Sequence, residues 1–285
     1  MRLLLTGSSG FVGSYFVEKY SDRYDINKFS FLNDDFEELC LDDIDVVVHL
    51  SAFVHQMNGA AADAYEKVNV AQTVDLAQKA KRAGVKQFLF MSTVKVYGEE
   101  RDEAYLENSV CTPKDEYGKS KLKAEQKLLE LEDKGFKIGI IRTPIVYGYG
   151  VKANIKNLID LVKKAPLLPF GEIENRRSMV FLGNLCHLID EIIVQDENGV
   201  FLASDDKPLS TTRFIELIAK SLDKRIILVK IPFFESLLKF FKPSFHKRLY
   251  DNLEVNNQIT KHKLNLKNPY STEFGINEMI KKGNS

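Results

Sequence analysis

Short apolar runs alternate with amphipathic stretches through the first half of the chain. Residues 3–6 read as an apolar strand, followed by a glycine-punctuated turn and a helical stretch to about Tyr20. Residues 45–50 contain Val46-Val47-Val48-His49-Leu50, the near-continuous run of a strand buried on both faces. Val70, Val74 and Ala77 then recur at helical spacing, with Lys81 and Arg82 in the last turn and Gly84 just past it as stop signals. Residues 87–91 read as strand, 113–134 as a helix ended by Gly135, and 137–142 as a further strand. Such β-α-β-α alternation predicts a doubly wound α/β fold, a parallel sheet covered on both faces.

The second half is less regular. It reads as a helix over 154–164, a loop with Pro166 and Pro169, an apolar strand at 180–182 and a helix over 184–194. A strand at 200–203, a helix over 211–222 and a strand at 226–231 follow. No Gly/Ser linker separates the halves, so residues 1–150 are expected to form the main domain. Residues 151–285 are expected to form a smaller, interwoven C-terminal α/β lobe folded back onto the sheet.

Composition narrows the class. With 44% hydrophobic and 28% charged residues in 285, the chain can build a core, and wholesale disorder is excluded. No apolar run approaches the roughly 20 residues that cross a bilayer, and residues 1–5 read as strand and not as a cleavable leader. A cytoplasmic protein is the expectation. The net charge is zero, yet the first 150 residues hold 19 basic and 24 acidic side chains and the remainder 21 and 16. The basic second half suits either solvated scatter or an anionic small ligand, and lacks the clustered stripe of a nucleic-acid footprint. Cys40, Cys111 and Cys186 are odd in number and widely spaced, as in reduced thiols. His55, His187, His246 and His262 have no ligand spacing, so no metal is expected.

The chemistry begins at Thr6-Gly7-Ser8-Ser9-Gly10-Phe11-Val12-Gly13, between the first strand and first helix. Glycines there allow a tight turn and close approach of backbone to a pyrophosphate, which the helix N-terminus attracts, as in a Rossmann-like dinucleotide site. The second strand ends in Ile26-Asn27-Lys28-Phe29-Ser30-Phe31, with neither the acidic residue that reads a ribose 2′-hydroxyl nor the arginine that reads a 2′-phosphate. NAD and NADP both remain open on that ground. Tyr117 and Lys121 stand at i and i+4, so both face one side of a helix. A phenol of pKa about 10 becomes a useful base at neutral pH only where a neighbouring ammonium favours the phenolate. Ser92 and Thr93 end a strand at the carboxyl edge, where open α/β sheets bind ligands.

Together these residues resemble the extended short-chain dehydrogenase/reductases, in particular the NAD-dependent epimerase/dehydratase group acting on nucleotide sugars. Further markers are His49-Leu50-Ser51-Ala52, Asn69, Val96-Tyr97-Gly98, Arg142-x-Pro144-x-Val146-Tyr147-Gly148, Arg176-Arg177-Ser178-Met179-Val180 and Pro269-Tyr270-Ser271-x-Glu273-x-Gly275. The resemblance implies Tyr117 as acid/base, Lys121 as its pKa-lowering partner on the nicotinamide ribose, and Thr93 as the assisting hydroxyl. It implies NAD held by Gly7, Gly10, Phe11, Val12 and Gly13, by Asp35 and Phe36 at the adenine, and by Leu50, Ser51, Ala52, Ser92 and Pro144 beside Tyr117 and Lys121. Asn69 would be structural. A nucleotide-sugar substrate would meet His55, Lys95, Asn154 (or Asn157 beside it) and Arg177.

Two departures refine the picture. Val94 and Lys95 replace the Asp-Glu pair of the 4,6-dehydratases, which argues against water elimination. The short stretch between the first helix and Asp45 trims the usual adenosine region. The implied reaction is hydride exchange at C4 of a UDP-hexose or UDP-N-acetylhexosamine, in a 4-epimerase or alternatively a 4-ketoreductase of surface-polysaccharide synthesis. A dinucleotide-sensing regulator would lose the Tyr-x-x-x-Lys pair, and a small carbonyl substrate is opposed by Arg177. The resemblance also implies a homodimer through a four-helix contact that includes the Tyr117 helix. Residues 231–249 combine Phe233, Phe234, Leu237, Leu238, Phe240, Phe241 and Phe245 with Lys239, Lys242, Lys247 and Arg248. Their apolar positions cover most of a helix circumference, so burial in the second lobe or a subunit contact is expected ahead of membrane contact.

Overall fold

The computed structural model describes residues 1–53, 62–98 and 101–281. In chain order its strands are β1 (Arg2–Thr6), β2 (Asp25–Phe29), β3 (Val46–His49), β4 (Gln87–Thr93) and β5 (Lys137–Thr143). They continue with β6 (Ile145–Tyr147), β7 (Leu167–Leu168), β8 (Met179–Phe181), β9 (Gly199–Leu202) and β10 (Ile227–Leu228). The helices are α1 (Phe11–Tyr20), α2 (Ala62–Tyr65), α3 (Gln72–Arg82), α4 (Glu116–Leu129), α5 (Ala153–Lys164) and α6 (Leu182–Val194). After them come α7 (Thr211–Ser221), α8 (Phe234–Phe241), α9 (Pro243–Tyr250), α10 (Gln258–Leu264) and α11 (Thr272–Lys281). A π-helical turn, Glu66–Ala71, joins α2 to α3.

Six strands pair in parallel in the order β2-β1-β3-β4-β5-β9. From β1 the chain moves outward to β2, then returns to add β3 on the other side of β1. That reversal opens a crevice at the carboxyl ends of β1 and β3, the place where such sheets bind ligands. The period-two alternation of β1 divides the core: Leu3 and Leu5 face one layer, Leu4 the other. The first layer packs Phe16 of α1 and Leu185, Ile189 and Ile192 of α6 beneath Val46 and Val48. The second packs Leu76 and Ala80 of α3 and Ala124 and Leu128 of α4 beneath Val47, Phe88 and Ile140.

The structure redraws several elements of the second half. The strand expected in the smaller lobe at 200–203 is β9, which extends the main sheet beside β5 from Gly139↔Gly199 to Arg142↔Leu202. A parallel neighbour needs a crossover, and α6, almost wholly buried against α1, lies on that path. The lobe therefore shares the sheet and one helical layer with residues 1–150. The helix expected over 113–134 is shorter: Asp115 starts it by accepting from the Gly118 N–H at 2.7 Å. Segment 231–249, expected to be buried in the lobe or to form a subunit contact, is buried only in part: Phe234, Leu238 and Leu249 pack on the core. Pro243, which cannot continue a helix, divides it into α8 and α9, and Phe233, Phe240 and Phe241 are 86%, 80% and 69% exposed.

Gly13 faces the most crowded backbone of the β1–α1 turn: a Cβ there would lie 2.2 Å from the Gly7 carbonyl oxygen. Gly13→Ala should lower stability by about 1–3 kcal/mol, as overpacking against fixed backbone does. Gly135→Ala, whose Cβ would meet only the Asp133 side chain at 3.6 Å, should change it by less than about 0.5 kcal/mol. Equal urea midpoints for the two variants would contradict the packing account.

Candidate active site

The β1–α1 turn leaves room for something other than side chain. Gly7 has φ +72°, and a Cβ on it would lie 2.9 Å from the Ser51 nitrogen. The turn is thus pressed against the β3 exit at Leu50 and Ser51. Gly10 begins α1 with no side-chain cap, and no acidic residue stands in the first helical turn. The opening N–H groups and positive dipole end are available to an anion. Phe11 and Val12 follow, packed partly against the first core layer.

Beneath this turn His49 is fully buried, its Nδ1 2.7 Å from the Thr6 hydroxyl and its Nε2 2.9 Å from the Thr73 hydroxyl. Burial, with Lys121 adding to it, lowers its pKa to about 3, so the ring is neutral. The Ser51 N–H also donates to Thr6 Oγ1 at 3.3 Å. Leu50, Ser51 and Ala52 are half-buried along the crevice. Asn69, in the π-helical turn, holds the next residue: its amide clasps both backbone groups of Phe53 at 2.8 and 3.0 Å and donates to Ser120 Oγ at 3.0 Å. Asn69 thus ties the β3 exit to α4.

Tyr117 and Lys121 both project from α4. Tyr117 stands 6.3 Å, ring centre to ring centre, from Tyr65, and its hydroxyl forms no hydrogen bond among the described residues. Burial, with Asp115 and Tyr65, raises the phenol above its ordinary pKa. The Lys121 ammonium has other partners in this arrangement. It donates to the Met91 carbonyl at 2.7 Å and lies 4.2 Å above the Phe90 ring. Burial lowers the Lys121 pKa to about 7, against the opposing pull of Glu125.

Thr93, at the end of β4, accepts from the Lys95 N–H at 3.3 Å and opens a 3-10 turn, Val94–Val96. That turn abuts the start of α4: a Cβ on Gly118 would lie 2.8 Å from the Lys95 carbonyl oxygen. The Lys95 ammonium pairs with Asp115, the N-cap of α4. Ser92 is buried, its hydroxyl donating to Glu125. Glu125 in turn receives Arg142 at 2.6 Å, in an ion pair only 2% and 7% exposed. Pro144 is buried just beyond β5. Asp35 lies exposed after β2, its carboxylate accepting the Glu37 N–H at 2.8 Å. Phe36 beside it is fixed by Phe31, at 5.7 Å, and by Lys79, 4.8 Å above the ring.

The second half completes a cleft. Lys95 and Arg177 line a cavity of about 350 Å³ together with Lys114, Lys247 and Arg248. Arg177 and Arg248 also line a more apolar cavity of about 380 Å³, which Asn154 and Asn157 enter from α5. Arg177 donates to the carbonyls of Lys247 and Asp251 at 3.3 and 3.0 Å, and Arg248 to Asn154 Oδ1 at 3.3 Å. Lys95 and Asn154 thus line two cavities that share Arg177 and Arg248, whereas His55 lies outside the described residues. Lys247 and Arg248 were not foreseen at this site. Their signal was the Lys-Arg pair, read as part of the basic, apolar segment 231–249.

The chain is similar to known proteins in sequence and in fold. The profile of the NAD dependent epimerase/dehydratase family matches residues 3–202. A UDP-glucose 4-epimerase of Vibrio cholerae is 37% identical, over 97% of this chain and 93% of its own. An N-acetyl-alpha-D-glucosaminyl-diphospho-ditrans,octacis-undecaprenol 4-epimerase of Escherichia coli O157:H7 is 28% identical, over 81% of this chain and 76% of its own. The UDP-glucuronic acid 4-epimerase of Bacillus cereus, solved with NAD, superposes with a TM-score of 0.80 at 20% identity, covering 100% of this chain and 99% of that one.

Two outcomes test the groups around α4. Glu125→Ala strands a buried guanidinium and should cost about 3–5 kcal/mol in urea unfolding, most of it recovered in Glu125→Leu/Arg142→Met. Recovery by the single substitution alone would refute the pairing. Lys121 releases its proton near pH 7 when folded and at its ordinary 10.5 when unfolded, so stability rises with pH across that window. The stability difference between Lys121→Met and the native chain should favour the variant most below pH 7 and decline toward 10.5. Parallel pH profiles would contradict a buried ammonium.

Proposed function

The chain belongs to the NAD dependent epimerase/dehydratase family, and from that premise we propose that it is a nucleotide-sugar 4-epimerase acting on a UDP-hexose or UDP-N-acetylhexosamine. The observation that carries the reading is Tyr117 one helical turn before Lys121 on α4, with Thr93 on the adjoining strand end. NAD suits the β1–α1 turn, where Cβ atoms on Gly7 and Gly13 would collide with backbone and α1 offers an uncapped N-terminus. Gly7, Gly10 and Gly13 would take the pyrophosphate, and Leu50, Ser51 and Ala52 would flank the cofactor. When bound, NAD supplies the acceptor, and then the donor, of the hydride at sugar C4.

The residues of the chain handle the proton. Tyr117 takes the 4-hydroxyl proton as the ketone forms and returns it to the epimeric hydroxyl. Thr93 hydrogen-bonds that oxygen, and Lys121, when charged, favours the phenolate. The substrates named for the two curated relatives share a hexosyl diphosphate. Arg177 and Arg248, which line both cavities, and Lys247, which lines the smaller, suit that diphosphate, guanidinium being the better fork for phosphate oxygens. Asn154 and Asn157 stand where a nucleoside would be held.

The purified chain should interconvert a UDP-hexose and its 4-epimer, followed by the anomeric proton in NMR, and release NAD on denaturation. Tyr117→Phe should lower kcat by roughly 10²–10⁴-fold with UDP-sugar affinity little changed. Full turnover by Tyr117→Phe would end this reading. Stoichiometric consumption of added NADH without epimer would assign the chain to 4-ketoreduction instead.

A further inference from the structure

Lys95 and Asp115 join the two segments that carry the proton-handling groups. Lys95 follows Thr93 by two residues, and its N–H donates to Thr93 Oγ1 at 3.3 Å. Asp115 precedes Tyr117 by two residues and starts its helix. The segments pack backbone to backbone, since a Cβ on Gly118 would lie 2.8 Å from the Lys95 carbonyl oxygen. The two carboxylate oxygens of Asp115 have different tasks: Oδ1 accepts the Gly118 N–H at 2.7 Å, and Oδ2 accepts the Lys95 ammonium. Capping needs only a side-chain oxygen, which asparagine supplies about equally well. The charge of Asp115 therefore serves the ammonium more than the cap.

Both side chains are half-buried and line the cavity of about 350 Å³, with Asp115 the one acidic residue among the described residues around it. Of the other cations there, Lys247 and Arg248 belong to α9, Arg177 donates to the Lys247 carbonyl, and Lys114 is exposed. The pair thus stands where the cations suited to a diphosphate meet the Thr93–Tyr117 end, the place of the hexose ring in 4-epimerisation. We propose, on the basis of that 4-epimerase reading, that Asp115 determines which hexoses are accepted: by neutralising Lys95 beside the ring it admits a pyranose with uncharged substituents and rejects a hexuronate. To hydroxyl groups the pair offers a donor and an acceptor side by side. A sugar carboxylate would compete with Asp115 for one ammonium and lie beside a like charge, a repulsive device against the wrong partner. Asp115 also contributes to the raised pKa of Tyr117, an effect that acts on every substrate alike and leaves the choice between them unchanged.

The test compares UDP-glucose with UDP-glucuronate, for turnover by NMR of the anomeric proton and for binding by calorimetry with NAD added. The native chain should favour UDP-glucose in both. Asp115→Asn, which keeps the cap, should raise the ratio of kcat/KM for UDP-glucuronate over UDP-glucose about tenfold or more, and the affinity ratio with it. Asp115→Asn/Lys95→Gln should lose most of that gain. Each ratio is taken within one variant, so a loss of folded protein cancels. A native preference for UDP-glucuronate, equal ratios in the native chain and Asp115→Asn, or a gain that survives Lys95→Gln overturns the proposal and leaves 4-epimerisation standing. An affinity ratio that shifts as expected in a chain that epimerises neither sugar supports the role of Asp115 and ends the epimerase reading instead. Binding of neither sugar overturns both.

Discussion

One buried ion pair determines where the chemistry can sit. Glu125 lies on the inner face of α4, and Arg142 reaches it from β5 at 2.6 Å with both groups almost free of solvent. Ser92 of β4 donates to the same carboxylate. Two charges taken out of water are tolerable only when paired and hydrogen-bonded. Helix α4 consequently has one height and one roll over the carboxyl ends of β4 and β5. Lys121 stands one turn before Glu125 and Tyr117 one turn earlier still, so their positions follow from that seat. Asn69, bridging Phe53 and Ser120, and Asp115, capping the helix while pairing with Lys95, secure the other side.

Burial then decides the protonation of the groups so placed. His49 is neutral and Lys121 titrates near pH 7, both because their charged forms lose water beneath the sheet edge. The phenol of Tyr117 is raised by the same enclosure. The crevice at β1 and β3 is therefore a low-dielectric place in which a hydrogen bond or an added charge has a large effect on proton position. Across the cleft the cations are less enclosed and serve a different purpose. Arg177 and Arg248 bind their own backbone and side-chain neighbours while bordering both cavities.

The basic surplus of the second half has two destinations in space. Part of it, at Arg177, Lys247 and Arg248, converges on the cleft. Another part, at Lys239 and Lys242, borders a strip of exposed aromatic rings. Helix α8 carries one broad apolar arc, and only part of it meets the core: Phe234 and Leu238 pack inward, while Leu237, Phe240 and Phe241 stay exposed.

The sequence by itself determined what local periodicity encodes. The buried strands β1 and β3 to β5, the glycine turn, the stop of α3 and the shared face of Tyr117 and Lys121 all follow from spacing within a few residues. The tertiary structure alone decided that β9 completes the main sheet, that Ser92 serves Glu125, that Arg177 also braces α9, and that α8 turns aromatic rings to solvent. Each of those outcomes rests on partners distant in sequence or on how much of an apolar arc finds a neighbour. Periodicity states that a side chain is apolar or charged and which way it points along its own element. It carries no information about what the fold brings opposite.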